Sequence, residues 1–162
     1  MREMTVTVLD VLHTVKDPEI DSISIVDLGM VHRIEHEKDE VLIELLPTFV
    51  GCPALDIIRG NVEKACREKL GVERITVNFV YSPPWTSERL TENGRERLKE
   101  FGIAPPPEHF TGEEDWEIHC PYCDSPYTSM ENLFGPTACR SILYCKQCRN
   151  PFEAMKPIST MM

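Results

Sequence analysis

The first apolar positions of the chain recur at the spacing of an amphipathic helix. Within residues 5–16 they fall at i, i+3, i+4 and i+7, which predicts one apolar helical face formed by Val8, Val11, Leu12 and Val15. The Asp17-Pro18 pair predicts the end of this helix, because the residue before a proline is disfavoured in the helical region. Two runs with strand character follow at residues 31–35 and 41–46, and the charged sequence HEKDE between them predicts an antiparallel hairpin.

A second helix, a third strand and a third helix complete the pattern. Apolar residues at helical spacing extend over 55–70, and Gly71 is suited to end that helix. Residues 73–81 alternate as a strand does, and residues 87–101 return to helical spacing before Gly102. The sequence therefore predicts an α+β fold with the element order α-β-β-α-β-α and a small three-stranded sheet.

The composition changes after the third predicted helix. The run Ala-Pro-Pro-Pro-Glu at residues 104–108 predicts a stiff linker, and the residues beyond it are rich in cysteine and weak in periodicity. We therefore expect three parts along the chain. They are an α+β domain over residues 1–104, a proline-rich linker over 105–115 and a zinc ribbon over 116–162.

The charge balance argues against two classes of partner. The chain has 27 acidic and 17 basic residues, a net charge of −10, and both predicted domains are acidic. Nucleic-acid binders and proteins that dock to anionic membranes carry basic patches, so neither kind of partner is expected. The N-terminus lacks the pattern of a signal peptide, and the longest apolar run is far shorter than a membrane span. We expect a reducing, cytoplasmic location, where the seven cysteines serve as ligands or reactive thiols rather than disulfides.

Four of these cysteines form two C-x2-C motifs that are separated by 21 residues: Cys120, Cys123, Cys145 and Cys148. Together the motifs supply four thiolates for a tetrahedral metal ion, and so small a unit needs such a crosslink because it buries little apolar surface. A structural zinc site is the favoured interpretation. Unliganded thiols, and iron in a rubredoxin-like site or a cluster, are the alternatives. Cys139 is either a small packed residue or a ligand that replaces Cys145.

Cys52 stands where the chain enters the second predicted helix. Free N–H groups and the positive end of the helix dipole lower the pKa of a thiol at such a position, and Gly51 leaves room for a ligand. Cys52 is therefore either a functional thiol or a small residue that packs at the helix start. Cys66, by contrast, lies on the apolar face and is expected in the core. Three carboxylates near the first apolar segments are either caps and turn residues or functional groups: Asp17, Glu19 and Asp27.

Four motifs in the first 104 residues occur in a specific combination: Asp17-Pro18-Glu19-Ile20, the run from Ser24 to Val31, Thr48-x-x-Gly51-Cys52-Pro53 and Ser82-Pro83-Pro84-Trp85-Thr86. They resemble the small α+β domain of iron–sulfur assembly factors of the SufT type. The linker, the run Gly135-Pro136-Thr137-Ala138-Cys139-Arg140 and the two cysteine motifs are similar to one subfamily, PaaD, the D subunits encoded with bacterial phenylacetyl-CoA epoxidases. The resemblance extends over nearly the whole chain.

The resemblance implies a non-catalytic accessory role in phenylacetate catabolism, in agreement with the absence of a recognisable catalytic motif. Cys52 would bind iron or an iron–sulfur centre transiently, supported by Thr48, Gly51, Asp17, Glu19 and Asp27. The implied partners are the oxygenase and reductase subunits of the epoxidase. A permanent structural or regulatory subunit, a thiol-redox enzyme and a zinc-ribbon nucleic-acid binder are the competing hypotheses. The exposed edge of so small a sheet leaves a homodimer open.

Overall fold

The fold is α+β, as the sequence pattern predicts, and it contains two sheets. The computed structural model describes four stretches of the chain: residues 8–49, 54–107, 117–135 and 139–157. Helix α1 occupies residues 8–12 of the described chain, and its apolar face is buried. The helix ends at Leu12, earlier than the predicted end at Asp17-Pro18. The chain turns at residues 13 and 14, and Lys16 then pairs with Ser24 in an isolated antiparallel bridge, so Val15 lies outside the helix.

The first sheet has the order β1-β2-β3 and combines both strand orientations. Strand β1 covers Val31–Glu37, β2 covers Glu40–Leu45 and β3 covers Arg74–Phe79. β1 and β2 pair antiparallel, which confirms the hairpin. β2 and β3 pair parallel, because a helix carries the chain back to the end of the sheet at which β2 begins. The central strand β2 supplies three fully buried side chains to the core: Val41, Ile43 and Leu45.

Helix α2 spans Leu55–Leu70 and connects β2 to β3. Its apolar face packs into the core and includes Cys66, which confirms the interpretation of that thiol as a core residue. Gly71 ends the helix with a φ of 66°, a left-handed conformation that glycine adopts without a steric penalty. Neither this helix nor another within the described ranges combines the length and apolar character required to cross a membrane.

Helix α3 spans Glu92–Glu100 and begins later than predicted. Residues Ser87–Arg89 form a short 3-10 turn instead of the first turn of the helix. The reason is the conformation of Thr91, whose backbone is extended and whose side chain accepts the N–H of Gly94 at 3.0 Å. Thr91 therefore caps α3 and separates it from the preceding turn.

The second sheet has the order β4-β7-β6-β5 and joins the cysteine-rich segment to the first unit. Three of its strands are antiparallel: β5 (Thr128–Asn132), β6 (Arg140–Cys145) and β7 (Pro151–Met155). Strand β4, Ile103–Ala104, follows α3 directly and pairs parallel with β7. Ile103 of β4 and Met155 of β7 are both buried in the core of the first unit. The ribbon is therefore built onto the α+β unit.

Hydrogen bonds hold the described part of the proline segment, residues 105–107, against the first unit. The Ser87 hydroxyl donates to the Pro107 carbonyl at 2.6 Å. Its backbone N–H donates to the carbonyl of Pro157, which follows β7, at 2.9 Å. Ser87 is therefore the central residue. Residues 108–116 lie outside the described residues, so the limits of the domains and of the linker remain predictions.

The segment after β3 is fixed to the start of β1 through backbone carbonyl groups. Trp85, only 1% exposed, donates its indole N–H to the Leu28 carbonyl at 2.7 Å. Arg89 donates to the carbonyls of Gly29 and Val31, at 2.7 and 2.8 Å. Gly29 has a φ of 74°, and a Cβ at this position would overlap the Arg89 carbonyl group. The close approach of the two segments therefore requires glycine.

Gly29→Ala should lower the free energy of unfolding by about 2 kcal/mol or more, since it adds backbone strain and a steric overlap. Gly60→Ala is the matched control. Gly60 is exposed on α2, a Cβ there meets nothing within 4 Å, and alanine favours a helix by about 0.5–1 kcal/mol. Urea unfolding of the full chain measures both changes. Equal midpoints for Gly29→Ala and the unsubstituted protein would contradict this packing.

Candidate functional site

Four cysteine sulfurs meet beside the second sheet. Cys120 and Cys123 belong to the turn that precedes β5, Cys145 ends β6, and Cys148 lies in the turn before β7. The four Sγ atoms all lie within 4.8 Å of one another. The structure thus brings the two C-x2-C motifs of the sequence into one cluster.

The spacing of these sulfurs suits a tetrahedral metal ion. The Sγ atoms of Cys120 and Cys148 are 3.6 Å apart, as are those of Cys123 and Cys145. Four sulfurs bound to one zinc ion at ~2.3 Å would stand about 3.8 Å from one another. The backbone N–H groups of Tyr122 and Cys148 donate to the sulfurs of Cys120 and Cys145, both at 3.4 Å. Such donors stabilise thiolates, so the residues fit a metal held by four sulfurs.

The two cysteine turns have the same backbone geometry. In the first, the Cys120 N–H donates to Ser125 and the Cys120 carbonyl accepts from Asp124; Cys145 repeats both bonds with Asn150 and Arg149. Asp124 and Arg149 have φ values of 61° and 62°. These left-handed conformations are uncommon for residues with a Cβ. The sequence analysis did not predict a left-handed backbone at Asp124 or at Arg149.

The thiols of the cluster differ in their affinity for protons. Burial raises the pKa of Cys120 to about 12. The backbone N–H of Cys148 lowers the pKa of Cys145 to about 7, against the effect of burial. Four thiolates at such short distances repel one another unless a cation balances their charge. A metal ion would therefore replace protons in this cluster.

Cys139 stands outside this group of four sulfurs. It precedes β6, its side chain is half-buried, and its carbonyl accepts the backbone N–H of Lys156 at 2.9 Å. Cys145 itself belongs to the cluster, so the set of four is complete without a contribution from Cys139. Burial lowers the pKa of the Lys156 amine, and negative charge on Cys139 would raise it.

The loop that leads to Cys52 is described as far as Phe49. Thr48 and Phe49 are buried, with exposed fractions of 7% and 9%. Gly51 and Cys52 lie outside the described residues, so the reactive or iron-binding thiol remains a prediction.

Asp17 and Glu19 lie together at the junction with the ribbon. The Asp17 carboxylate accepts the N–H groups of Glu19 and Ile20 at 2.8 and 3.1 Å, so it fixes a turn. The Arg140 guanidinium approaches Glu19 at 3.8 Å and Glu153 at 3.2 Å. Burial raises the pKa of Asp17 and that of Glu19, and the negative charge of Asp17 raises the pKa of Glu19 further.

Asp27 has a different set of partners. Its carboxylate accepts hydrogen bonds from Thr91 at 2.7 Å, from Asn93 at 2.9 Å and from Ser24 at 3.1 Å. Burial favours the neutral acid, but these donors outweigh it and hold the pKa of Asp27 below its usual value. Asp27 therefore ties the irregular segment after α1 to the start of α3.

Lys156 is a charged residue that the sequence reasoning missed. Its side chain is fully buried, and its Nζ lies 4.9 Å from the ring centre of Phe49 and 4.7 Å from that of Phe134. Within the part of the chain that the structure describes, Nζ has no hydrogen-bond partner. The only available indication was its position, since it continues the alternation of Phe152 and Ala154, which point into the ribbon core.

Comparisons with known proteins match successive parts of the chain to two families. Residues 5–78 match a family described as iron-sulfur cluster assembly protein, and residues 104–156 match the PaaD zinc beta ribbon domain. The crystal structure of a domain of unknown function, DUF59, from Bacillus anthracis superimposes with a TM-score of 0.57 at 29% identity. That similarity covers 60% of this chain and 92% of the other.

Two curated relatives extend these matches. The Fe-S protein maturation auxiliary factor YitW of Bacillus subtilis is 33% identical over 85 residues, which are 52% of this chain and 82% of that protein. A protein of Escherichia coli K12, provisionally named as the D subunit of 1,2-phenylacetyl-CoA epoxidase, is 36% identical over 148 residues, covering 91% of this chain and 89% of that protein. The chain thus belongs to the PaaD family and combines an iron–sulfur cluster assembly domain with a zinc β-ribbon domain.

Proposed function

We propose that this protein is an accessory maturation factor that assists the assembly of an iron or iron–sulfur centre in a partner subunit of a phenylacetyl-CoA epoxidase. The observation that carries the proposal is the union of an assembly domain with a PaaD ribbon in one packed chain. The relative named as an epoxidase subunit matches 91% of the chain, whereas YitW, named as a maturation factor, matches 52%. A factor that serves a metal centre of the epoxidase accounts for both similarities.

Cys52 is the proposed acceptor of iron or of a cluster, which is cargo rather than a resident cofactor. A thiolate is a suitable ligand for either cargo. Helix α2 begins at Leu55, soon after Cys52 in the chain, and the positive end of its dipole would favour the thiolate form. Thr48, which is buried, is proposed to support the position of Cys52, and Gly51, which has no Cβ, to give the cargo access.

The three carboxylates are proposed to support Cys52 through the frame of the domain. Asp17 fixes the turn after α1, and Glu19 pairs with Arg140 of the ribbon. Asp27 holds the start of α3 through Thr91. These contacts use the carboxylates within the protein, which favours supporting roles over direct contact with the cargo.

The four-cysteine cluster is proposed to hold a structural zinc ion. Four thiolates complete a tetrahedral shell and leave no position for a substrate, which is the arrangement of structural zinc sites. The ion would crosslink the turns before β5 and β7. It would thereby supply folding free energy that the small core of the ribbon lacks.

A permanent structural subunit of the epoxidase is the second candidate. Exposed aromatic side chains on the ribbon favour it: Tyr122 is 59% exposed, Tyr127 68% and Phe134 57%. Aromatic residues are enriched in protein interfaces, and a lasting interface would cover them. Either role gives the ribbon the task of docking to an oxygenase or reductase subunit.

The purified protein should contain about one zinc ion per chain, because four clustered thiolates bind zinc far more tightly than isolated thiols do. The Cys120→Ser/Cys123→Ser variant should lose it, and Cys66→Ala, which removes a core thiol outside the cluster, should retain it. Elemental analysis after gel filtration measures both. Iron in place of zinc, or zinc retained by the double variant, would overturn the assignment.

Loss of this protein from cells should deplete iron or acid-labile sulfide in one epoxidase subunit, since the cargo would no longer be delivered. The unsubstituted protein should restore the missing centre, and Cys52→Ser should not. Cys66→Ala is the control for a cysteine loss away from the loop and should restore it. The oxygenase and reductase subunits are purified and their metal and sulfide contents compared.

Full loading of both subunits without this protein, together with slow ring oxidation, would contradict the maturation role and favour the structural subunit. Restoration by Cys52→Ser at the level of the unsubstituted protein would remove Cys52 from the mechanism while retaining the maturation role.

A further inference from the structure

The Lys156 amine is buried at the junction of the two units, where the described residues do not supply the partners that a charge normally requires. It is fully buried, and among the described residues Nζ has no hydrogen-bond acceptor. The rings of Phe49 and Phe134 lie on it at 4.9 and 4.7 Å, and the negative faces of these rings attract a cation. Ring faces do not replace an anion, so a buried ammonium still needs a negative charge close by.

The thiol of Cys139 is the group that meets this need. The two residues are joined through the backbone, because the Lys156 N–H donates to the Cys139 carbonyl at 2.9 Å. Burial lowers the pKa of the Lys156 amine, and negative charge on Cys139 opposes that shift. Cys139 is only half-buried, so part of the residue is open to solvent.

The guanidinium next to Cys139 in the chain is paired with two carboxylates. Arg140, the next residue, directs its guanidinium to Glu153 at 3.2 Å and to Glu19 at 3.8 Å. Its positive charge is therefore shared with two carboxylates, whereas Lys156 has neither of them as a hydrogen-bond partner. Cys139 lies opposite Lys156 across the β6–β7 ladder, so the Lys156 ammonium can act on its thiol.

We propose that Cys139 and Lys156 form a second thiol site, in which the buried ammonium holds Cys139 as a thiolate that reacts with low-molecular-weight disulfides. The Cys139 sulfur attacks one sulfur of the disulfide, a mixed disulfide forms, and the other half leaves as a thiolate. The added group is the only change to the protein, and a second thiol reverses it. The proposal depends neither on Cys52 nor on the metal of the four-cysteine cluster.

Modification at this site would act on the junction of the two units. A mixed disulfide removes the negative charge beside Lys156 and leaves the ammonium between Phe49 and Phe134. Phe49 is the last described residue before Cys52 in the chain. Thiol chemistry on the ribbon would thereby loosen the packing around Phe49.

Alkylation of the full chain by iodoacetamide tests the site, with peptide mass spectrometry reporting each cysteine from about pH 5.5 to 9.5. The reactivity of Cys139 should rise with an apparent pKa about one unit or more below the free-thiol value of ~8.5. Lys156→Met, which preserves the length of the side chain, should raise that pKa by about one unit and slow alkylation at neutral pH about threefold. Lys156→Arg should retain the low value.

Cys66 in the same samples is the internal control, because burial in the core raises the pKa of its thiol. A Cys139 pKa at or above the free-thiol value, or one unaltered in folded Lys156→Met, would overturn the proposal. If circular dichroism shows that Lys156→Met does not fold, the titration of the unsubstituted protein decides. With oxidised glutathione, one adduct should form on Cys139, and this adduct should be absent in Cys139→Ser. No adduct at Cys139 in the unsubstituted protein would also overturn the proposal.

Discussion

The two residues of β4 join the halves of this protein. Ile103 and Ala104 pair with β7 directly after α3, so the chain enters the second sheet before it reaches the first cysteine of the cluster. Ile103 packs in the core of the α+β unit, and Ala104 packs in the core of the ribbon. Because one short strand contributes to both cores, removing the ribbon would expose apolar surface of the first unit. The rest of the junction depends on this pairing.

With β4 and β7 paired, three polar contacts between the units become available. Arg140 at the start of β6 meets Glu19, and Ser87 donates to the Pro157 carbonyl. Lys156 reaches the ring of Phe49, close in sequence to the loop that holds Cys52. The ribbon therefore contacts the α+β unit both at the Glu19 turn and at Phe49. Under the proposed function, it would sense or stabilise the region that handles the cargo.

Much of the fold could be predicted because its elements have strong local patterns. The hairpin follows from the charged turn between two apolar runs, and α2 follows from its apolar stripe and the stop at Gly71. The four-cysteine cluster follows from its spacing alone. Strand β4 could not be predicted, because two residues carry no periodicity. The late start of α3 was also hidden, since it depends on how Thr91 caps the helix.

The partners of the candidate carboxylates were harder to predict than the fold, because these charges are paired with residues far away in sequence. Asp27 bonds to Thr91, and Glu19 pairs with Arg140, so the neighbours of either carboxylate in sequence do not indicate its partner. Lys156 appears in the sequence as an ordinary charged residue, yet it is fully buried. Only the contact of Lys156, just after β7, with Phe49 of the first unit makes it part of a site.

The most direct test of the account is whether the two units unfold together. The chain has two tryptophans, so Trp116→Phe leaves Trp85, buried in the first core, as the fluorescent reporter of the α+β unit. Release of metal from the four-cysteine cluster reports the ribbon. The account predicts that both signals change at the same urea concentration, as one cooperative transition. Metal release at a lower concentration, with Trp85 fluorescence unchanged, would show that the units are independent and contradict it.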